Sequence, residues 1–259
     1  MCFDADSRPP LPPLPPMRGS ALDARDLTLS SADGTQFAAY AARAEDPSAP
    51  GVVILPDVRG LHHYFEELAL RFAEAGVHAV ALDPYARSAG VAKRDEGFEF
   101  ERHLPQLRIE SLTADIAAAA DFLRGDEGGQ AERIYTVGFC LGGRISLLQA
   151  ARAQGIAGVI GFYPWPVGPH RSLLPAPADE ASDFRCPVLT LYGGADAMIP
   201  AEVQETFDAA LDAARIEHRT VVYEGAPHSF FDRKATEFGD ASADAWREVL
   251  EFIGVPPRG

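Results

Sequence analysis

The sequence predicts an α/β protein: a mainly parallel, doubly wound sheet preceded by an antiparallel hairpin. From residue 51 to residue 254, short apolar runs rich in β-branched residues alternate with longer segments whose apolar residues recur at helical spacing. Two earlier β-type runs flank residues 32–35, which contain an Asp-Gly turn. Repeated strand–helix units place helices on both faces of a parallel sheet, and the turn predicts the hairpin.

The individual elements follow in chain order. Strands are predicted at 26–31, 36–43, 51–56, 77–85, 133–139, 156–164, 186–194 and 217–225. Helices are predicted at 62–76, 111–125, 141–155, 200–214 and 242–254, and most of them close with a glycine. Residues 86–106 are charged and irregular, and residues 164–185 form a proline-rich loop that we expect at one rim of a site.

Two regions of the chain differ in composition. Residues 1–20 include the string RPPLPPLPPM, and because proline fixes φ and lacks an amide donor, they predict a flexible, extended leader. Residues 21–259 predict a single domain. Hydrophobic residues make up 47% of the 259-residue chain, which is enough for a large core.

Charge and cysteine content limit the class of partner. The formal net charge is −15, which opposes binding to nucleic acid or to an anionic membrane surface. No apolar run approaches the roughly 18–20 residues of a membrane span. Three cysteines without regular spacing predict a reduced, cytoplasmic protein rather than a disulfide framework. A monomer and a small homo-oligomer are both compatible with the sequence.

No metal or cofactor is expected. His62 and His63 are adjacent, so on a helix they face different directions and make a poor pair of ligands. No cluster of cysteine and histidine has the spacing of a zinc site. The expected ligand is a small organic molecule.

A cysteine stands between glycines where a predicted strand meets a helix. Gly138, Cys140 and Gly142 fit the small-x-nucleophile-x-small pattern of a sharp strand-to-helix turn, in which glycine removes side chains that would clash. The N-terminus of the following helix favours a thiolate, and the Leu141 amide can face a developing oxyanion. The plainer interpretation is an inert cysteine in a glycine-rich turn.

Two further residues follow predicted strands at the same edge of the sheet. Asp196 lies between a strand and a helix, and His228 follows the next strand. The order nucleophile, acid, histidine is that of α/β-hydrolases. His228 can accept the thiol proton, and Asp196 can orient the imidazole and support its positive charge. Taken alone, each residue also fits a plainer role, as a helix-entry aspartate or a loop histidine.

Five strings resemble the dienelactone hydrolase family, cysteine-nucleophile members of the α/β-hydrolase superfamily: VVILPDVRGL, ALDPYAR, VGFCLGGR, LYGGADAMIP and GAPHSFFDR. They occur in the family order over residues 51–233. The resemblance implies an α/β-hydrolase fold, with Cys140 as nucleophile, His228 as base and Asp196 as the residue that orients it. It also implies that the Val58 amide is a second oxyanion donor.

This sequence departs from the family pattern at two positions to which the resemblance assigns a role. The family has a glutamate near the thiol that controls its ionisation, and this chain has Asp57 there, one methylene shorter. A plain loop aspartate is the alternative. The family also binds a substrate carboxylate with an arginine after the HSF segment. Here Asp232 occupies that place, and Arg233 follows one residue later.

Five other residues lie beside the predicted catalytic loops and are candidates for substrate binding. Arg59 and Arg144 carry charges there, and the alternative is a solvated or salt-bridging role. Tyr85, Tyr163 and Trp165 follow strands and can line the pocket, although aromatic residues in such places also serve as plain packing.

The expected activity is hydrolysis of a carboxylic ester or lactone through an acyl-thioester, similar to that of a carboxymethylenebutenolidase. A general carboxylesterase or thioesterase is the alternative within the same class. A ligand-binding or redox-sensing protein that keeps the fold without turnover is the alternative from a different class.

Overall fold

The computed structural model describes residues 23–152, 155–231 and 237–255. The predicted leader and Arg233 lie outside these ranges. The strands are β1 (Asp23–Ser30), β2 (Gln36–Arg43), β3 (Gly51–Leu55), β4 (His78–Leu82), β5 (Ile134–Phe139), β6 (Ile156–Phe162), β7 (Val188–Gly193) and β8 (His218–Tyr223). The helices are α1 (His63–Glu74), α2 (Ala86–Ala89), α3 (Ile109–Arg124), α4 (Leu141–Gln149), α5 (Ala201–Ala214) and α6 (Gly239–Ile253).

The eight strands form one sheet in the order β1-β2-β4-β3-β5-β6-β7-β8. Strand β2 is antiparallel to both β1 and β4, whereas β3 to β8 run parallel to one another. The predicted parallel sheet with an antiparallel hairpin at its start is therefore confirmed. The carboxyl ends of β3 to β8 lie at one edge of the sheet.

The central strands are buried on both faces. Every residue of β3, β4, β5 and β7 is buried, while β1 alternates between exposed and half-buried positions at the edge of the sheet. Helices α1 and α6 meet through Phe72 and Trp246, with ring centroids 4.7 Å apart. Helices α3 and α4 meet through Thr113 and Gln149. Helices α1, α3, α4, α5 and α6 each also contact strands of the sheet and so supply the cover that a buried sheet needs.

Several boundaries differ from the predicted ones. Strand β1 begins at Asp23 instead of residue 26, and α3 begins at Ile109 instead of residue 111. Helix α4 ends at Gln149, whereas the pattern predicted residue 155. The amides of Ala150 and Arg152 bond to carbonyls three residues back, and this tightening ends the α-helical pattern.

The two segments predicted to be irregular contain short elements. Helix α2 and two 3-10 turns, Phe100–Arg102 and Leu104–Gln106, lie in the charged stretch after β4. A 3-10 segment, Pro177–Asp183, lies in the proline-rich loop after β6. One-turn elements are too short to show a periodic pattern, so the sequence does not reveal them.

None of the helices within the described ranges has both the length and the apolar character needed to cross a bilayer.

Candidate active site

Parallel strands bring the predicted site residues to one edge of the sheet, because loops at carboxyl ends meet there. The loops carry Asp57, Val58 and Arg59 after β3, Tyr85 after β4, Cys140 after β5, Tyr163 and Trp165 after β6, Asp196 after β7 and His228 after β8. Strand register sets their spacing. Leu55 pairs with Gly138, and Phe139 pairs with Phe162. The β3 loop, Cys140 and Tyr163 therefore come directly after the paired ends of three adjacent strands.

Cys140 has a strained backbone. Its φ is +54° and its ψ is −110°, in the region that L-residues avoid. Such a conformation costs on the order of 1–3 kcal/mol and persists only where the surroundings enforce it. The Cys140 amide donates to the Phe162 carbonyl at 3.0 Å, and its carbonyl accepts from the amide of Arg144 at 3.1 Å. The half-buried cysteine is thus held at both backbone ends between β6 and the first turn of α4.

Two glycines make this bend possible. A Cβ on Gly138 would lie 1.9 Å from the carbonyl oxygen of Gly142, and a Cβ on Gly142 would lie 2.0 Å from the carbonyl oxygen of Leu55. Both neighbours are backbone atoms, so they cannot move aside as a flexible side chain can. Glycine at these positions lets β3, β5 and α4 approach closely enough to form the turn.

The amide of Leu141 is the first of α4. An amide in the first turn of a helix has no acceptor within that helix, and the helix dipole adds partial positive charge there. Leu141 follows Cys140 directly in the chain. This placement suits a donor to an oxyanion formed at a carbonyl carbon that the thiol attacks.

Asp196 and His228 are in direct contact. His228 Nδ1 lies 2.6 Å from Asp196 Oδ2, and the other carboxylate oxygen, Oδ1, accepts the amides of Met198 at 2.8 Å and Ile199 at 3.2 Å. Asp196 is buried, which strengthens a hydrogen bond to its charge. With Nδ1 donating to the carboxylate, the opposite ring nitrogen is the one left to exchange protons.

The loops that carry this pair are tied to each other and to the core. The Ala195 amide donates to the Ala226 carbonyl at 2.9 Å, which joins the aspartate loop to the histidine loop. The ring of Tyr163 lies 4.8 Å from the His228 ring, centroid to centroid. Tyr163 directly follows Phe162, the residue whose carbonyl holds the Cys140 amide, so a short series of contacts links the strained cysteine to the histidine.

Helix α6 supports the segment that follows the histidine. Ser242, fully buried near the start of α6, donates its hydroxyl to the Phe230 carbonyl at 3.1 Å. The Phe231 ring stacks on Trp246 of the same helix, with centroids 6.3 Å apart. The position of the histidine loop therefore depends on α6 as well as on β8.

Asp57 is fully buried and caps its own loop. Its Oδ1 accepts the Arg59 amide at 2.9 Å, and its carbonyl accepts the Gly60 amide at 3.1 Å. These bonds give Asp57 a structural role in the turn after β3, whether or not it also acts on the thiol. Val58, the next residue, accepts the Tyr85 hydroxyl on its carbonyl at 2.7 Å.

Arg144 serves the loop after β6 and is a poor candidate for substrate binding. Its side chain is 1% exposed and donates to four carbonyls at 2.7–2.9 Å, those of Trp165, Gly168, Leu174 and Pro175. Burial lowers the pKa of Arg144 to about 10, so it stays charged at neutral pH. All three nitrogens are engaged, and this favours the structural interpretation that the sequence left open.

The other substrate-binding candidates fall into three groups. Tyr85 and Tyr163 are fully buried, which favours the packing interpretation for both. Trp165 and Arg59 are half-buried beside the site loops and remain candidates for contact with a ligand. Arg233 lies outside the described residues.

Sequence reasoning missed a buried ion pair beneath the β3 loop. Asp83, at the end of β4, is fully buried, and it binds Arg94 at 2.7 Å. The sequence signal for this pair was Asp83 itself, a carboxylate directly after an apolar strand run and directly before a proline. Arg94 gave no signal, because it lies in the irregular stretch that follows.

Within the described ranges, no group of three or more histidine, cysteine, aspartate or glutamate side chains is arranged to hold a metal ion.

The chain is similar to one protein family and to proteins that carry related names. The model of the dienelactone hydrolase family matches residues 37–255. A Salmonella typhimurium protein named "Putative carboxymethylenebutenolidase" is 32% identical, covering 88% of this chain and 86% of that protein. A Yersinia pestis protein of the same name is 30% identical over 87% of this chain and 86% of its own length.

A solved structure gives the same result. The crystal structure of a "Putative Dienelactone Hydrolase" from Klebsiella pneumoniae superposes with a TM-score of 0.79 at 29% identity, covering 90% of this chain and 98% of that chain. The sheet order and this likeness confirm the α/β-hydrolase fold.

Proposed function

The chain belongs to the dienelactone hydrolase family and is a carboxylic ester hydrolase, and from this premise we propose that it cleaves an ester or lactone through Cys140, His228 and Asp196. The strained backbone of Cys140 is the observation that carries the proposal. A non-glycine residue held in this region between two indispensable glycines costs stability. Strain of this kind concentrates at functional sites, and Cys140 follows β5 at the same edge of the sheet as the loops that carry Asp196 and His228, which supports the proposal.

Acylation uses the thiol and the histidine together. His228 accepts the proton of Cys140, and the thiolate attacks the carbonyl carbon, so a C–S bond forms and the carbonyl oxygen becomes an oxyanion. The amides of Leu141 and Val58 donate to this oxyanion. As the tetrahedral species collapses, the C–O bond to the alcohol breaks, and His228 passes its proton to the departing oxygen.

Deacylation reverses these roles with water. His228 accepts a proton from water, and the hydroxide oxygen bonds to the acyl carbon. The C–S bond then breaks, His228 returns its proton to the sulfur, and the carboxylic acid product loses its own proton to solvent. Asp196 stabilises the imidazolium in both steps and keeps Nδ1 as its donor. The thiol is regenerated, and no electrons are exchanged.

The nucleophile narrows the substrate class. A thiolate leaves a tetrahedral species more readily than an alkoxide or an amide nitrogen does, so the alcohol part of the substrate has to be a good leaving group. Enol esters, aryl esters and unsaturated lactones meet this condition, and ordinary amides do not. Arg59 and Arg233 are the candidates for binding an acidic group on the substrate.

The test compares the wild-type protein with Cys140→Ala on a chromogenic aryl ester and a small panel of lactones and thioesters. We expect turnover by the wild type and its loss in the variant, with Cys186→Ala as the matched control that keeps activity. A preference for simple esters or thioesters over lactones would identify a general carboxylesterase or thioesterase. Labelling of Cys140 without turnover on any substrate would instead favour a ligand-binding or redox-sensing protein.

A further inference from the structure

The peptide that joins Val58 to Arg59 is held at both ends. Its carbonyl oxygen accepts the Tyr85 hydroxyl at 2.7 Å, and its N–H group donates to the Asp57 carboxylate at 2.9 Å. A peptide plane fixed at both ends cannot rotate without breaking two buried hydrogen bonds. The Val58 amide belongs to the preceding peptide plane, which meets this one at the Val58 Cα and whose carbonyl, that of Asp57, accepts the Gly60 amide at 3.1 Å. Its direction is therefore restricted from both sides.

The other amides of this loop are used inside the protein. Gly60 donates to the Asp57 carbonyl at 3.1 Å, and Leu61 donates to Asp83 Oδ1 at 3.3 Å. These bonds give an acceptor to the amides of Arg59, Gly60 and Leu61. Among residues 58–61 of the described chain, the Val58 amide is the one to which they give none. It is the donor that the loop offers to an incoming oxyanion.

The loop rests on a platform formed by Tyr85, Asp83 and Arg94. Gly60 has a φ of +77°, and a Cβ added there would lie 2.7 Å from Asp83 Oδ1, 2.9 Å from Arg94 Cγ and 3.2 Å from Tyr85 Cδ2. All three members of the platform thus touch the loop at one residue. Glycine is required both by this approach and by the left-handed backbone.

The platform is itself rigid. Arg94 donates Nε to Asp83 Oδ1 at 3.0 Å and Nη2 to Oδ2 at 2.7 Å, a bidentate pair. Asp83 also accepts the Tyr85 amide at 3.1 Å, and the Arg94 amide donates to the Leu61 carbonyl at 2.6 Å. Asp83 holds the Tyr85 backbone, and the Tyr85 ring packs against Phe98 with centroids 5.1 Å apart, so the position of the hydroxyl relative to the loop is restricted.

We propose that Tyr85 is a positioning residue for the oxyanion hole: its hydroxyl, through the Val58 carbonyl, sets the direction of the Val58 amide. The inference rests on the proposed function, because it presumes an oxyanion at that amide. It also changes the role expected for Tyr85 from the sequence. The hydroxyl proton is already donated to Val58 and the side chain is fully buried, so Tyr85 acts on the substrate through the loop.

The test is Tyr85→Phe, which removes the hydroxyl and keeps the ring. We expect kcat on an aryl ester to fall by about ten- to a hundredfold. This fall is no larger than the fall in kcat that removal of an oxyanion donor causes. KM should stay within about twofold, because ground-state binding does not use this amide. Alkylation of Cys140 by iodoacetamide should keep its rate, since that reaction forms no oxyanion.

Tyr135→Phe is the matched control. Tyr135 is a buried tyrosine near the start of β5, at the opposite edge of the sheet, and its hydroxyl is bonded to Arg133. This variant should retain the wild-type kcat. Gly60→Ala gives a second approach, because its Cβ pushes the loop off the platform and should lower kcat in the same way.

Three outcomes would overturn the inference in an active enzyme: an unchanged kcat in Tyr85→Phe, a rise in KM alone, or an equal fall in kcat and in the rate of Cys140 alkylation. The second would make Tyr85 a substrate ligand, and the third would make it part of thiol activation. An inactive wild-type protein would overturn the proposed function and this inference together, so the two failures are distinguishable.

Discussion

His228 and Asp196 are joined by a 2.6 Å hydrogen bond, and the second carboxylate oxygen of Asp196 is itself held by two backbone amides. The carboxylate is therefore fixed on both sides. A substitution at Asp196 therefore changes a contact whose geometry is defined on both sides of the carboxylate.

Asp196→Asn should lower kcat by about 10³–10⁴-fold while the protein stays folded. The asparagine oxygen can keep the bonds from the Met198 and Ile199 amides, so the NH₂ group faces Nδ1 of His228. The ring then carries its proton on the other nitrogen and cannot accept one from the thiol. Steady-state kinetics checks this, with Asp208→Asn as the control on α5. A variant that retains a tenth of the wild-type kcat would contradict the assigned role.

Cys140 should be alkylated by iodoacetamide faster than Cys186 in the native protein. Burial raises the pKa of Cys186 to about 11, so little of its thiolate exists at pH 8. Cys140 is half-buried at the start of α4, and the proposed mechanism gives it His228 as a base. Peptide mapping by mass spectrometry at timed intervals gives both rates. Equal rates would count against an activated thiol.

Gly138→Ala should lower the free energy of unfolding by more than about 3 kcal/mol or prevent folding, because the new methyl overlaps a backbone carbonyl. Gly239→Ala at the start of α6 is the matched change. It has open space around its Cβ and should stay within about 1 kcal/mol of wild type. Chemical denaturation measures both. Similar stabilities for the two variants would mean that the bend tolerates a side chain.

Arg144→Lys should lower the free energy of unfolding by about 2–4 kcal/mol, because lysine cannot reach all four buried carbonyls at once. Limited proteolysis should then cut the loop after β6 more readily. Arg185→Lys is the control, since Arg185 also bonds to carbonyls but is mostly exposed. If Arg144 were instead a substrate ligand, KM would rise and stability would not change.

His170 should make the protein less stable in acid. Burial lowers the pKa of His170 to about 4, with the charges of Arg144 and Arg171 adding to the effect, while an unfolded histidine titrates near 6.5. Between these values the unfolded chain binds more protons, so stability falls as the pH drops from about 6.5 towards 4.

The matched variant is His170→Asn, whose side-chain oxygen can accept the Ser172 amide in place of Nδ1. We expect the melting temperature of the wild type to fall more between pH 7 and pH 5 than that of the variant. Parallel melting curves for the two proteins over this range would show that the histidine makes no such contribution.

The sheet could be predicted because its signals are local. Buried strands such as β3 and β5 are continuous apolar runs, and the spacing of Gly138 and Gly142 around Cys140 records a steric requirement of the bend itself. Asp196 and His228 were recognisable because each follows such a run. The edge of the sheet then brings their loops together.

The supporting contacts could not be predicted, because they depend on packing between distant segments. Arg144 lies four residues after Cys140, yet its side chain turns towards the loop after β6. Tyr85 was a candidate either to line the pocket or to pack, and nothing in the sequence indicated that its hydroxyl bonds to a carbonyl 27 positions earlier. Arg94 crosses back to Asp83 from a stretch without periodicity. Polar residues of these kinds look alike in sequence whether they meet ligand or backbone.

The bond from Ser242 to the Phe230 carbonyl has a consequence for how activity arises during synthesis. During translation, residue 140 leaves the ribosome about a hundred residues before α6, the helix that supports the segment after His228. Until α6 has been translated, the segment that follows His228 lacks this support, so we expect the histidine loop to reach its final position only after residue 253 has been made.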